Sequence, residues 1–269
     1  MSPETLPDRR ATAGKIALAW PAYLYWARVF RRVLRSELIG TFVVPAVGLL
    51  AFGFGLGALV DTRANADLGV EYAVFIAPGL IAGAAMQTAN DGATWNVLGA
   101  IKWWKTYHAM LATPLGVREV FLGHLAWITT HAAMAGAGLL LVAAVFGLVP
   151  SAWGVLSVVA AALVGLAFAT PLMALAASTE NAERFALVYR FVVVPLFLFS
   201  ATFFPVSQLP DLLEWVAWLT PLFHGVELTR DLTLGTIGWV DLVHVGVLLA
   251  YAGVGALLAM RAFDRRLRS

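Results

Sequence analysis

The sequence predicts an all-α, polytopic membrane protein of six transmembrane helices, and three observations carry that prediction. Of its 269 residues, 61% are hydrophobic and only 13% are charged, which leaves too little polar surface to clothe a soluble globule of this size. The apolar residues are gathered into six runs, each long enough to cross a hydrocarbon core, which takes about 20 helical residues. Within those runs Ala, Leu and Gly dominate, and the two-residue alternation of a membrane barrel is absent.

Residues 1–37 read as a cytoplasmic N-terminus ending in an amphipathic helix. Arg28, Arg31, Arg32 and Arg35 recur at helical spacing, while Tyr23, Trp26, Phe30, Val33 and Leu34 take the opposite face. Such a helix lies in the membrane interface, with Trp26, Arg28, Phe30, Arg31, Arg32 and Arg35 as its anchors. Arg9-Arg10 followed by the apolar residues 16–27 has the outline of a targeting signal, but the four arginines that come next exclude it. Anchoring to anionic lipid and a docking surface for a cytoplasmic partner both fit this helix.

The membrane domain occupies residues 38–260, with spans expected at 38–60, 72–90, 120–149, 153–177, 185–204 and 240–260. Gly53 and Gly57 in the first run have no strand before them and no Lys-Ser/Thr after them, so they serve close helix packing rather than a nucleotide loop. The third run is too long for one perpendicular crossing and carries His124, Thr129, Thr130 and His131. Its first turns are expected outside the core or along a wet space.

Between the second and third runs lies a basic, aromatic, proline-broken connection that cannot rest in hydrocarbon. It contains Lys102, Trp103, Trp104, Lys105, Tyr107, His108 and Met110, followed by the helix-breaking Thr113-Pro114 pair. A short helix over 102–111 is expected there, with Trp103, Trp104, Tyr107 and Met110 as packing anchors for a partner.

The connection 205–239 is rich in Leu and Trp. Asp211 follows a helix-starting Pro210, a second start follows Pro221, and Glu227 with Arg230 can pair three residues apart. Two short external helices before the sixth span are therefore expected, as a structural cap or an exit gate. Residues 261–269 form a basic tail.

Cations decide the orientation. Arg9, Arg10, Lys15 and the four helix arginines precede the first span. Lys102, Lys105 and Arg118 fall in the second connection, Arg184 and Arg190 near the fourth, and Arg261, Arg265, Arg266 and Arg268 after the sixth span. Only Arg63 and Arg230 fall on the other side, so both termini are expected in the cytoplasm of a cell whose inner (plasma) membrane holds the chain.

Ionisable residues at membrane depth mark a pathway or a structural hydrogen bond. Asp91, His131, Arg190, Asp241 and His244 are the candidates, and snorkelling to the interface accounts for the last three. Gln87, Asn90 and Asp91 share one helix face, which suits cavity lining and helix–helix hydrogen bonding equally. The chain has no cysteine, and no nucleophile–base pair or metal cluster is evident, so an enzyme is disfavoured and no metal site is expected. No phosphate-binding loop occurs, so ATP hydrolysis would fall to another polypeptide.

KTYHAMLATPL (105–115), FLFSATFFPVSQLP (197–210) and WLTPLFHGVELTRDL (218–232), in this order, resemble the type-2 ATP-binding-cassette (ABC) exporter permeases. The nearest resemblance is to the branch of the nodulation-factor exporter permease NodJ, and FIAPGL (75–80) is similar too. The resemblance covers about residues 53–235. It implies a permease subunit that pairs with a second permease, as a homodimer or heterodimer, and with two ATPase subunits carrying ATP and Mg²⁺. This chain itself would bind no cofactor and no nucleic acid.

The same resemblance implies a coupling helix formed by the Lys102–Pro114 connection. Six helices make too small a bundle to enclose an amphipathic substrate, so a pathway along Gln87, Asn90, Asp91, Phe199 and Ser200 is expected between two permeases. Gly92 and Ala100 depart from the acid and the base that the branch carries, with Asp91 one position from the former. The expected function is outward movement of an amphipathic or lipid-like substrate, such as a glycolipid, lipo-oligosaccharide or hydrophobic drug. A proton-coupled secondary transporter using Asp91 and His131 is the alternative, and a membrane scaffold a third.

Overall fold

A long apolar run whose backbone groups must all be satisfied within the segment can only be a helix, and helices of this kind frame the molecule. In a computed structural model of the chain, residues 19–39, 43–57 and 70–268 are described, and they contain no strand. The tail cations Arg9, Arg10 and Lys15, together with Arg63, lie outside the described residues. So do residues 40–42 and 58–60 of the expected first span.

The chain enters through α1 (Trp20–Leu38) and α2 (Val44–Gly48), which continues into a π-helical stretch over Leu49–Leu56. Next come α3 (Tyr72–Ala93), α4 (Trp95–Lys102), α5 (Thr106–Leu111) and α6 (Val117–Val145). After a 3₁₀ turn at Ala152–Leu156 comes α7 (Ser157–Ser178). The next helical stretch is built of α8 (Glu183–Val188), a π turn (Tyr189–Val193) and α9 (Val194–Phe199). Two short helices, α10 (Asp211–Trp218) and α11 (Pro221–Leu234), precede the terminal α12 (Val240–Arg268).

Four helical segments among the described residues are long and apolar enough to cross a membrane: Tyr72–Lys102, Val117–Val145, Ala152–Ser178 and Val240–Arg268. One departure from the sequence reading is instructive. The run expected over 185–204 ends as a helix at Phe199, because Ala201 adopts a left-handed φ of 60° that an α-helix cannot contain. The third run is one unbroken helix. Thr129 and Thr130 return their hydroxyls to the carbonyls of Leu125 and Ala126 at 2.9 and 2.8 Å, so these polar residues need no water.

Small residues let the central helices close on one another. A Cβ on Gly136 of α6 would come within 2.4 Å of the Ala161 Cβ on α7, and one on Gly165 within 2.4 Å of the Ala132 Cβ. This is the packing expected where lipid supplies no hydrophobic drive between helices. At Gly123 the approach involves backbone, since a Cβ there would lie 2.7 Å from the Ala19 carbonyl oxygen and 2.8 Å from the Tyr23 nitrogen. Gly123 is thus where α1 rests on α6.

One end of the bundle gathers basic residues, and Glu180 clasps them. Its carboxylate lies 3.5 Å from Lys102 Nζ and pairs with Arg266, while Lys102 Nζ also donates to the Glu180 carbonyl at 2.7 Å. The end of α4, the α7–α8 turn and the end of α12 are thereby tied together. The hydrogen bond from Arg266, then the Arg266 and Lys102 charges, hold the Glu180 carboxyl down to about 2 against an ordinary value of 4.5.

Replacing Gly123 by Val should lift α1 off α6. Ala22 is fully buried, so a cysteine placed there should be inert to maleimide in the parent and reactive in the Gly123→Val background; an inert cysteine in both would show that α1 does not rest on Gly123. Because the Glu180 pKa is depressed, the clasp should act fully above the ordinary carboxylate range and fail only as pH falls through about 2. Glu180→Gln should accordingly speed amide exchange at 103–106 to the same extent at pH 7 and pH 5. A difference that vanishes at pH 5 would contradict that assignment.

Candidate functional site

A cavity of about 850 Å³ opens between α1, the α2 stretch, α3, α6 and the α8–α9 stretch. Its α1 wall is apolar and aromatic, formed by Tyr25, Trp26, Phe30 and Val33, with Phe52 beside it. The polar side groups come from α3 and α4, namely Gln87, Thr88, Asp91 and Asn96, and Trp95 stands between them. Trp127 and His131 face in from α6, and Tyr189, Phe197 and Phe203 close the remaining side. A volume of this size suits a drug-sized molecule or part of a larger one.

Local sequence explains why the polar patch sits where it does. Thr94, at φ −100° and ψ −77°, forms the joint between α3 and α4. Its Oγ1 donates to the Asn90 carbonyl at 2.7 Å, which bends the chain while keeping the backbone satisfied. The joint turns Asp91 and Asn96 outward into the cavity, and Asn90 Nδ2 donates to Asp91 Oδ1 at 3.2 Å. His131 is held by Phe30, edge-on at 4.9 Å, and by Trp127, stacked at 5.8 Å.

Of the residues read from the sequence as a pathway, Gln87 and Asp91 line this cavity, and His131 lines it with them. Asn90 does not, being 4% exposed and turned into the protein. Ser200 is also buried, its hydroxyl 3.1 Å from that of Thr220. Phe199 is exposed away from the cavity. The helix ends at Phe199, and the lining from this part of the chain is Phe197 and Phe203.

The Lys102–Pro114 connection is built differently from the single helix expected. Trp103 and Trp104 both donate their backbone N–H to the Gly99 carbonyl, at 3.0 and 2.8 Å, which ends α4. Lys105 then takes a left-handed φ of 53° and starts α5 in a new direction. Tyr107 is fully buried, and Met110 is 9% exposed. The Tyr107 hydroxyl hydrogen-bonds His124 Nδ1, and its ring meets Phe263 of α12 at 5.5 Å. These two residues hold the loop to its own protein and are not available as surface anchors, which corrects the sequence reading.

Exposed on the loop are Lys102, Trp103, Trp104, Lys105, His108, Thr113 and Pro114. Trp104 also reaches the cavity, and the Thr113 hydroxyl closes α5 by donating to the Met110 carbonyl at 2.6 Å. On α1, the anchors divide in the same way. Arg28, Arg31, Arg32 and Arg35 are exposed, whereas Trp26 and Phe30 are buried against α6, with Trp26 stacked on His124 at 3.9 Å. The Trp26–Phe30 part of the apolar face of α1 thus packs on protein, while Val33 and Leu34 of the same face are exposed.

At the other end of the bundle lies a buried polar cluster, in which His224 is the member that the sequence reading missed. His224 Nε2 lies 2.9 Å from the Trp218 carbonyl, to which it must donate. Its Nδ1 therefore accepts in the neutral form from His244 Nδ1, at 2.7 Å. His244 and Asp241 are 3% and 7% exposed, so they are held inside by partners and do not snorkel. Arg230 pairs with Glu227 as their spacing predicts, donates to the Ala201 carbonyl at 2.6 Å, and lies 4.1 Å over the Phe75 ring. The recurrence of His, Asp and Arg across 224–244 was the available signal.

Comparison with known proteins agrees with this architecture. The chain is 33% identical over 251 residues to Nodulation protein J of Rhizobium leguminosarum bv. trifolii, covering 91% of this chain and 94% of that one. It is 31% identical over 266 residues to Nodulation protein J of Sinorhizobium fredii, covering 97% and 99%. A more distant likeness, 24% over 230 residues and 84% and 88% of the two chains, is to the inner membrane transport permease YadH of Escherichia coli. Residues 22–234 match the pattern of the ABC-2 type transporter family, and on that match the chain, a multi-pass membrane permease, belongs to the ABC-2 type transporters.

Proposed function

We propose that this permease moves an amphipathic or lipid-like substrate, such as a glycolipid, lipo-oligosaccharide or hydrophobic drug, outward across a bacterial inner membrane. The observation that carries this reading is the cavity of about 850 Å³, aromatic along α1 and polar along α3 and α4, which suits a molecule with an apolar tail and a polar head. In this reading the chain spans the membrane six times between a cytoplasmic N-terminus (1–37) and a basic cytoplasmic tail (261–269), with α1 along the interface. The α10 and α11 helices belong to the outer side and dip into the outer leaflet, with α11 packed into the bundle where Gly225 meets Val164.

The energy comes from a separate ATPase present in two copies, which binds ATP and Mg²⁺, while a second permease, identical or related, completes the pathway. The exposed part of the Lys102–Pro114 loop is the docking surface for that ATPase, and Glu180 with the buried Tyr107 keeps it rigid. A rigid knob is what transmission requires, because a loose one would absorb the motion it receives. A second reading, proton-coupled transport, is favoured by one observation: Asp91 and His131 face the same cavity.

Two experiments separate these readings. Replacing the phosphate-loop lysine of the co-purifying ATPase should abolish export; export that continues and follows a proton gradient would establish the second reading instead. On the loop, Trp103→Ser or His108→Glu should release the ATPase from a permease that remains folded. Tyr107→Ala should act through stability, costing about 3–5 kcal/mol as buried aromatic truncations do, and should lower the melting temperature. If Tyr107→Ala melts like the parent yet releases the ATPase, the docking contact is Tyr107 itself.

A further inference from the structure

The arginines at the end of α12 do not share one role. Arg266 pairs with Glu180, and Arg268 lies 3.0 Å from the Asp264 carboxylate. Arg261 and Arg265 are exposed and have no hydrogen-bond or ion-pair partner among the described residues. Being four residues apart, they stand one above the other on the same helix face. Both of them, with Arg266, border a groove of about 730 Å³ between the last turns of α7 and α12. The rest of its lining is small and apolar, chiefly Ala174 and Ala177 of α7 with Leu258 and Ala262 of α12. Leu257 and Leu258 are exposed, so α12 presents side chains suited to hydrocarbon within one turn of Arg261.

We propose that this groove is a binding site for an anionic phospholipid, which sets its phosphate between Arg261 and Arg265 and lays the start of an acyl chain along the groove. Guanidinium donors left unused by the protein match the oxygens of a phosphodiester. Nearby carboxylates do not cancel their charge, because Glu180 is shared by Arg266 and Lys102 and Asp264 is taken by Arg268. A soluble anion would satisfy the arginines yet leave the apolar groove wet, whereas a lipid satisfies both halves. The exposed arginines of α1 attract anionic lipid as a charged surface does; here a groove of fixed shape lies behind the charge. A lipid seated there bridges α7 and α12 beside the Glu180 clasp. The site needs only that these two helices cross the membrane, not that the large cavity holds an exported substrate.

The permease, with the proteins that co-purify, is held in phosphatidylcholine nanodiscs doped with a photoreactive lipid. Two such lipids are compared, phosphatidylglycerol and phosphatidylcholine, which share one diazirine-bearing acyl chain; the choline cancels the phosphate charge in the second. Peptides covering residues 174–178 and 258–266 should take the phosphatidylglycerol label about tenfold more often, the preference expected of two cations at a lipid surface. Glycerol phosphate, which has the charge without the tail, should not compete.

Replacing both Arg261 and Arg265 by Gln should abolish the preference, and replacing both by Lys should retain most of it. If the double Gln variant does not elute as the parent does, Arg261→Gln and Arg265→Gln taken singly should each lower the preference about threefold. Equal labelling by the two lipids in the parent, an undiminished preference in the Gln variants, or displacement by glycerol phosphate overturns the lipid site. So does labelling that emerges only once the co-purifying proteins have been stripped away, which would make this face their docking surface.

Discussion

The stacking of Trp26 on His124, 3.9 Å between ring centroids and 10° from parallel, is what the basic end of the molecule is assembled around. It is possible because Gly123, one residue earlier, leaves no side chain between the backbones of α1 and α6. The same imidazole is engaged on its other side by the Tyr107 hydroxyl. Three segments far apart in sequence therefore meet on one ring: α1, which walls the cavity, α5, which shapes the loop, and α6, which supports both. The loop cannot shift as a rigid unit without the cavity wall registering it, since buried aromatic rings at this spacing interlock and do not slide freely.

The two ends of the bundle hold together by different physics. At the basic end the Glu180 clasp is exposed, so salt weakens it and its net contribution is small. At the other end Arg230 is buried and answers to Glu227, to the Ala201 carbonyl and to the Phe75 face at once. Removing one member of such a set strands the others without water, which costs far more than the net contribution of the bonds themselves. Arg230 also holds the carbonyl of Ala201, the residue in the left-handed turn just beyond the end of α9.

The long helices were legible in the sequence because a continuous apolar run has one solution in hydrocarbon. The short helices after Pro210 and Pro221 and the Glu227–Arg230 pair were legible because helix starts and three-residue spacings are local. What could not be read is direction. Tyr107 and Met110 have the composition of surface anchors, and nothing nearby announces that Lys105 reverses the chain and turns them inward. His124 is buried by Trp26, which comes from another part of the chain, so its environment could not be read from its own segment. His244 was assigned to the interface for the same reason, since its partner His224 belongs to a different helix. Of the cavity, Gln87 and Asp91 followed from a shared helix face, whereas the contribution of α1 required knowing what α1 rests on.

The π-helical stretches at Leu49–Leu56 and Tyr189–Val193 give the cavity two unlike walls. Phe52 and Tyr189 sit in these stretches, while Gln87 and Trp127 face them from regular α-helices. A π turn holds an extra residue and a less favourable set of hydrogen bonds, so its surplus residue can be handed along the helix by exchanging one carbonyl partner at a time. Each exchange rotates the local side chains by about 100°, the step of one helical residue, and leaves the helix axis in place. Such a step would change which side chains of these two segments face the cavity and which face the surrounding hydrocarbon.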